Sequence, residues 1–239
     1  MPGSEDGQSD GAAESAQSRR LRAPRRRPRG YGLVLLTIVL AIVIASLGQG
    51  GPLSQWVSLL LIGVALLLAL RTAEVHPRTQ RLAAVLVGIA LAFGLLSSLP
   101  SISFVPASLV LIIGAVLIAA TSVVLAGRLV QNPEVTRQAI VGALCVYLLI
   151  GLFFSFVFSV SALASGAPFF ASIDVASSSD YLYFSFVTLA TVGYGDLVAR
   201  GNLGRMLAAT EGLTGQLYLV TVVALLVSNL NRPGRNRQD

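Results

Sequence analysis

The sequence predicts an all-α membrane protein: six transmembrane helices, with a short re-entrant helix and a loop between the fifth and sixth. Three observations lead there. The chain of 239 residues is 54% hydrophobic and only 12% charged, whereas soluble domains carry about 25% charged residues. Six apolar stretches approach or reach the ~20 residues that a helix needs to cross a bilayer at ~1.5 Å per residue. The arginines fall in alternate connections between those stretches, which gathers them on one side, as the positive-inside rule requires of a multi-pass chain.

Residues 1–30 are polar, rich in Gly, Ser and Ala, with acids at Glu5, Asp6, Asp10 and Glu14 and seven arginines from Arg19 to Arg29. They hold too little apolar surface to build a core, so a disordered, arginine-rich cytoplasmic N-terminus in contact with anionic lipid is expected. A basic segment before an apolar one also fits a signal peptide. No small-residue cleavage site is well placed before Gly48, however, and further spans follow, so no cleavage is expected. The expected spans are 31–47, 53–70, 82–99, 104–127, 139–162 and 206–230. The apolar piece 181–190 is too short to cross a bilayer, which suits a re-entrant helix.

Charge sets the topology. With six crossings, 15 of the 17 arginines fall on one side, counting the N-terminal seven, three in 71–81, Arg128, Arg137 and three in 231–239. The loops 48–52 and 100–103 carry no charge. Both termini are therefore expected in the cytoplasm, with the loop before the sixth span facing outward. Arg200 and Arg205 are the exceptions. All basic residues other than His76 are arginine, a bias of the kind GC-rich bacterial genomes produce. A net charge of +6 would point to nucleic acid in a soluble protein, but here the arginines flank apolar spans and no nucleic-acid partner is expected. Cys145 is the one cysteine, which rules out an internal disulfide and a thiolate metal cluster and leaves a small core residue. His76 sits beside Pro77 in a charged loop and is read as solvated, although histidine can also sense pH.

Residues 31–137 form a predicted four-helix domain. Its fourth span, 104–127, has no charged side chain, and Arg128 follows at the cytoplasmic end. Moving a charge through the membrane field is worth about 2.3 kcal/mol per 100 mV, so an uncharged span gains nothing from voltage. Small residues at helical spacing, such as Gly88 with Ala92 and Ala115 with Ala119, serve helix packing.

The stretch between the fifth and sixth spans is the most informative part of the chain. It reads Thr188-Leu189-Ala190-Thr191-Val192-Gly193-Tyr194-Gly195-Asp196. A strand alternates the direction of its carbonyls. Glycines at 193 and 195 admit positive φ, which lets successive carbonyls turn to one side and replace the water shell of a cation. Asp180 is expected to cap the short helix that precedes this stretch, so that the negative end of its dipole faces the loop.

Residues Thr191 to Asp196 resemble the selectivity filter of the potassium-channel pore family, Thr-Val-Gly-Tyr-Gly followed by Asp, and the resemblance runs over 138–230. It implies a pore domain of outer helix, pore helix, filter and inner helix, and a potassium-selective channel. Ion-binding residues would be Thr191, Val192, Gly193, Tyr194 and Gly195, with K+ at the first four. Thr188, Asp196 and Glu211 would support the filter. Glu211 is the one acid in an expected span, and such residues are functional candidates; its expected partner is a pore-helix or loop group such as Thr188. Gly204-Arg205 resembles the start of the family's inner helix, and Gly215 stands eleven residues past Gly204, where relatives place a gating hinge. Gly212 is a second hinge candidate. Hinge and close packing explain Gly215 equally well. The apolar 220–227 would suit a gate that closes by dewetting.

The chain departs from the family in three places. Ala199 stands where many relatives have proline, and Val187 stands where some have a glutamate that hydrogen-bonds the filter aspartate. Asp196 must find another partner or remain in water. The fourth span lacks the arginines, one in every three residues, of voltage-gated relatives. One chain supplies one filter strand, so a closed ring of carbonyls implies a homotetramer. The expected partners are K+ and membrane lipid, with no cofactor beyond the permeant ion. No catalytic residues and no enzymatic activity are expected. The stretch 231–239 is expected to be a short basic cytoplasmic tail, with gating by an attached ligand-sensing domain not expected. A weakly selective cation channel, or a non-conducting subunit or sensor with a vestigial pore, would fit the same outline. The intact Tyr194 and filter weigh against both.

Overall fold

A computed structural model describes residues 31–47, 52–72, 78, 80, 81, 84, 85, 87–89, 91, 92, 107–131 and 137–230. The expected N-terminal segment 1–30, His76, the end of the third span, the short outer loops and the tail 231–239 lie outside the described residues. What is described is helical, with loops and a single isolated bridge and no strand. The named helices are α1 (Tyr31–Leu47), α2 (Pro52–Thr72), α3 (Ala107–Gln131), α4 (Arg137–Ser165), α5 (Ser178–Leu189) and α6 (Asn202–Leu230). The described residues of 78–92 are helical as well. Long apolar runs favour this state because a helix satisfies its own backbone groups where no water can do so. Among the described residues, α4 and α6 contain the two stretches long and apolar enough to cross a membrane, Gln138–Ser165 and Asn202–Leu225. Shorter apolar helical stretches are Tyr31–Leu47, Leu60–Arg71 and Leu111–Gly127.

The helices pack in a defined order. α1 pairs with α2, α2 with α3, and α3 with α4; α1 also reaches α4 and α5. Val34, Ile38, Ile118, Leu125, Cys145, Leu149 and Leu182 meet in one core that joins all of these layers. Cys145 is buried there, its Sγ 3.8 Å from the Tyr31 carbonyl oxygen, as a small core residue should be. Thr121, also buried, returns its hydroxyl to the Leu117 carbonyl at 2.7 Å, so this polar group is satisfied within α3. α5 and α6 pack against α4 and against each other.

Aromatic rings fill the end of the bundle where α4 gives way to α5. Phe158 of α4, Phe169 and Phe170 of the following loop, and Phe184 of α5 are all buried. Their contacts are edge-on or tilted, with centroids 5.1 Å apart for Phe158–Phe184 and 4.9 Å for Phe169–Phe170. Such pairs contribute about 0.5–1.5 kcal/mol each beyond the area they bury. They clamp the loop that leaves α4 onto α5.

The start of α5 corrects one expectation. Ser177, not Asp180, is the N-cap: its backbone is extended and its hydroxyl accepts from the Asp180 N–H. Asp180 sits at the third helical position and its carboxylate takes the Ser177 N–H at 2.7 Å. This is a capping box with aspartate in the role more often held by glutamate, and it satisfies two donors that a helix start leaves open. Replacing Ser177 with Ala should lower stability by about 1 kcal/mol. Thermal melts of the detergent-solubilised protein check this, with exposed Ser178→Ala as the neutral comparison.

Candidate functional site: the Thr191–Asp196 loop and its supports

α5 ends at Leu189, and the chain leaves it through Ala190 into Thr191–Asp196. The first bonds after the helix are tight. Thr191 N–H donates to the Thr188 carbonyl at 3.0 Å, Val192 N–H to Val187 at 2.9 Å, and Gly193 N–H to the same Val187 oxygen at 3.4 Å. Past this point φ is positive at every second residue: 57° at Thr191, 56° at Gly193 and 83° at Gly195. Alternating handedness undoes the alternation of a strand and brings successive carbonyls towards a common side. Glycine makes this easy at 193 and 195. At Thr191, a β-branched residue, the same conformation costs about 1–2 kcal/mol and must be held by its surroundings.

The surroundings hold the loop at both ends. At the inner end the Tyr147 hydroxyl of α4 donates to the Leu189 carbonyl at 3.1 Å. The Tyr147 ring stacks on Tyr218 of α6, whose own hydroxyl reaches back to the Ala143 carbonyl of α4 at 2.7 Å. At the outer end the Tyr183 hydroxyl donates to Asp196 Oδ2 at 2.8 Å, and Ser172 Oγ donates to the Asp196 carbonyl at 2.9 Å. Asp196 therefore has a partner despite Val187. The Tyr183 hydrogen bond holds the Asp196 carboxyl below the usual carboxylate range.

A two-stranded bridge then pins the exit. Phe170 faces Ala199 in antiparallel register, with Ala171 N–H to the Val198 carbonyl at 2.9 Å and Arg200 N–H to Phe169 at 2.8 Å. Arg205 Nε adds a bond to the Ala199 carbonyl at 3.1 Å. Gly204 lies where a Cβ would come within 3.0 Å of both Ala199 Cβ and the Phe169 ring. The start of α6 thus fits only glycine without rearrangement.

The remaining residues singled out in the sequence fall as follows. Thr188 accepts the Thr191 N–H through its backbone. Glu211 is fully buried, and its partner is Ser185 rather than Thr188: Oε1 and Ser185 Oγ are in hydrogen-bond contact. Ser185 lies one helical turn before Thr188 on α5, and its hydroxyl also contacts the Gly151 carbonyl of α4 at 2.6 Å. Gly215 is a close-packing position. A Cβ there would fall 2.5 Å from Leu189 Cδ1 and 3.2 Å from the Leu189 carbonyl oxygen. At Gly212 the nearest atom, the Thr188 carbonyl oxygen, is 4.0 Å away. Four participants escaped the sequence reading: Tyr183, Ser185, Ser172 and Tyr147. None of the four has a local signal: each hydroxyl meets a group at least 13 residues away.

The loop is open on the single chain. Thr191–Asp196 are all exposed, Tyr194 to 71%. Much of α6 is exposed as well, with Leu213, Leu217, Val220 and Val223 uncovered.

The comparisons with known proteins agree with this region. Residues 142–232, from α4 to the end of α6, match a family described as ion channels. The chain is 39% identical over 57 residues to the inward rectifier potassium channel Kirbac3.1 of Paramagnetospirillum magnetotacticum, covering 24% of this chain and 19% of that one. It is 33% identical over 87 residues to potassium voltage-gated channel subfamily A member 2 of Xenopus laevis, 34% of this chain and 17% of that one. Human potassium voltage-gated channel subfamily A member 10 is 32% identical over 87 residues, with the same shares. The chain thus spans about a fifth of the length of the curated relatives it matches. No solved structure matches. Together the family match and these relatives support a membrane protein with a potassium-channel type of pore region.

Two outcomes follow from the geometry. Tyr183→Phe should raise the Asp196 pKa towards that of a free carboxylate, read by NMR titration of a labelled aspartate carboxyl. Because Tyr183 lowers that pKa, the contact is complete above the ordinary carboxylate range and is lost only in strong acid, as pH falls through the lowered value. Gly215→Ala should destabilise the protein by about 1–3 kcal/mol through overpacking, whereas Gly212→Ala, with open space, should not; melts of both variants decide.

Proposed function

We propose that the protein conducts potassium passively and selectively through a tetrameric pore in the cell membrane. The observation that carries this reading is the run of positive φ at Thr191, Gly193 and Gly195 within Thr-Val-Gly-Tyr-Gly. Carbonyls of Thr191, Val192, Gly193 and Tyr194, with the Thr191 hydroxyl, would form a ladder of sites that replaces the hydration shell of K+. Gly195 lets the ladder end, and Asp196, held by Tyr183, fixes the outer mouth. The C-terminal end of α5 points at the ladder with the negative end of its dipole, which favours a dehydrated cation.

One chain offers one wall of such a ladder. The exposure of Thr191–Asp196 and of the apolar α6 is what four copies around an axis would cover. The pore domain is read as 138–230, with α4 as outer helix, α5 as re-entrant pore helix and α6 as inner helix. Residues 31–137 are read as a four-helix domain, completing six transmembrane helices, with both termini cytoplasmic. Absence of charge before Arg128 in α3 argues against steep voltage gating. Gly215 serves the packing of α6 on Leu189, and a hinge role would have to be built on that contact. The chemistry needed is binding and release of an ion, with no covalent step and no cofactor.

The test is the reversal potential of purified protein in planar bilayers, with potassium on one side and sodium on the other. A reversal near the potassium limit is expected, and a reversal near zero would reject selectivity. Gly193→Ala should abolish selectivity or conduction. Space for a Cβ is open there, so the damage comes from the positive φ, strained by about 1–2 kcal/mol in each subunit.

A further inference from the structure

Behind the filter stretch lies a buried chain of three oxygens that can be satisfied in one way. Ser185 Oγ is 2.6 Å from the Gly151 carbonyl oxygen and in still closer contact with Glu211 Oε1. Ser185 and Glu211 are both 0% exposed. A serine hydroxyl has one hydrogen, and a backbone carbonyl has none to give. If Ser185 donates to Gly151, the contact with Glu211 lacks a hydrogen unless the carboxyl brings its own. If Ser185 donates to an ionised Glu211 instead, two acceptor oxygens face each other at 2.6 Å across Ser185 and Gly151. Only a neutral carboxylic acid satisfies both contacts.

A second observation agrees. Glu211 Oε2 is buried with no hydrogen-bond partner among the described residues. An ionised carboxylate would leave a share of its charge there without a donor, which is far more expensive than leaving a neutral carbonyl oxygen. No described basic side chain compensates it: Arg200 pairs with Asp174 at 3.6 Å, and Arg205 Nε bonds the Ala199 carbonyl. From α4 the titratable group that faces it is Tyr147, whose hydroxyl proton goes to Leu189. From α5 the facing group is Ser185 itself, and on α6 Tyr218 gives its proton to Ala143.

We propose that Glu211 is a protonated positioning residue, a neutral acid that donates to Ser185, which donates in turn to Gly151. This relay fastens α6 to α5 and α5 to α4 six residues before Thr191. It rests on the pore reading for its purpose, since the helix it steadies is the one that delivers the filter. Its chemistry stands apart from that reading. A neutral acid gives the tie a direction and a definite donor without placing a charge beside the ion path.

The experiment uses the full-length protein and two readouts. Infrared spectra of wild type and Glu211→Gln at neutral pH should differ by a protonated-carboxyl C=O band, present in wild type and missing in the variant. The same band should shift in Ser185→Ala, where the acid has lost its acceptor. Identical spectra of wild type and Glu211→Gln in this region would overturn the proposal, whether or not the protein conducts. In single-channel recording, Glu211→Gln keeps a donor to Ser185 and should stay within about twofold of wild-type mean open time. Glu211→Ala and Ser185→Ala should each shorten it about 2- to 10-fold, the effect of one lost buried hydrogen bond, with no further loss in the double variant. Additive losses, or a glutamine variant as impaired as the alanine one, would reject the relay. If Glu211→Ala does not assemble, Ser185→Ala and the infrared comparison still decide.

Discussion

A backbone that turns its carbonyls away from its own chain cannot hold itself in place. From Thr191 to Gly195 the chain alternates in handedness, accepts a positive φ at a threonine, and after Gly193 makes no backbone bond of its own until the bridge at Val198. Whatever order this stretch has comes from behind. Leu189 is tied to Tyr147, Asp196 to Tyr183 and Ser172, and the segment beyond is paired with Phe169–Ala171. The packing of α4, α5 and α6 around this stretch can be understood as a way to bring those donors within reach.

The helices do this by close approach and by volume. Gly215 lets α6 lie on Leu189, and Gly151 lets α4 lie on Phe186, where a Cβ would come within 2.8 Å of the ring. The phenylalanine cluster then fills the space above and fixes the height at which the outer loop meets Ala199. Interiors respond to volume changes of a single methylene, so these glycines and rings locate the loop as firmly as its hydrogen bonds do. α1, α2 and α3 add a second layer behind α4, joined to it through Ile38, Ile118 and Leu149.

The pattern explains what the sequence could reveal. The helices were legible because they coincide with long apolar runs, and α1 begins and ends at the residues hydropathy indicates. The turn of the backbone at Gly193 and Gly195 was legible because its requirement is local: two glycines, two apart, that admit positive φ. Tyr183 and Ser185 were not, because nothing in a helix sequence says which hydroxyl will meet a group 13 or 26 positions away. Glu211 stood out as an acid in an apolar run, but its partner depended on how α6 is rotated against α5. The start of α5 was misplaced by three residues because Asp180 is a good cap in isolation and a better third residue once Ser177 precedes it.

Apart from the Tyr183 bond to the Asp196 carboxylate, the ties that hold the stretch share a further trait. Tyr147, Tyr218, Ser172, Ser185 and Arg205 all give their hydrogens to main-chain oxygens, of Leu189, Ala143, Asp196, Gly151 and Ala199. Only the donor of each pair is written into a side chain. By hydrogen bonding alone, the accepting positions are free to change identity while the donors are not. Substitution at these ties should therefore be tolerated more readily on the accepting side, except at Gly151, held by its packing on Phe186, and at Asp196, whose carboxylate also receives Tyr183.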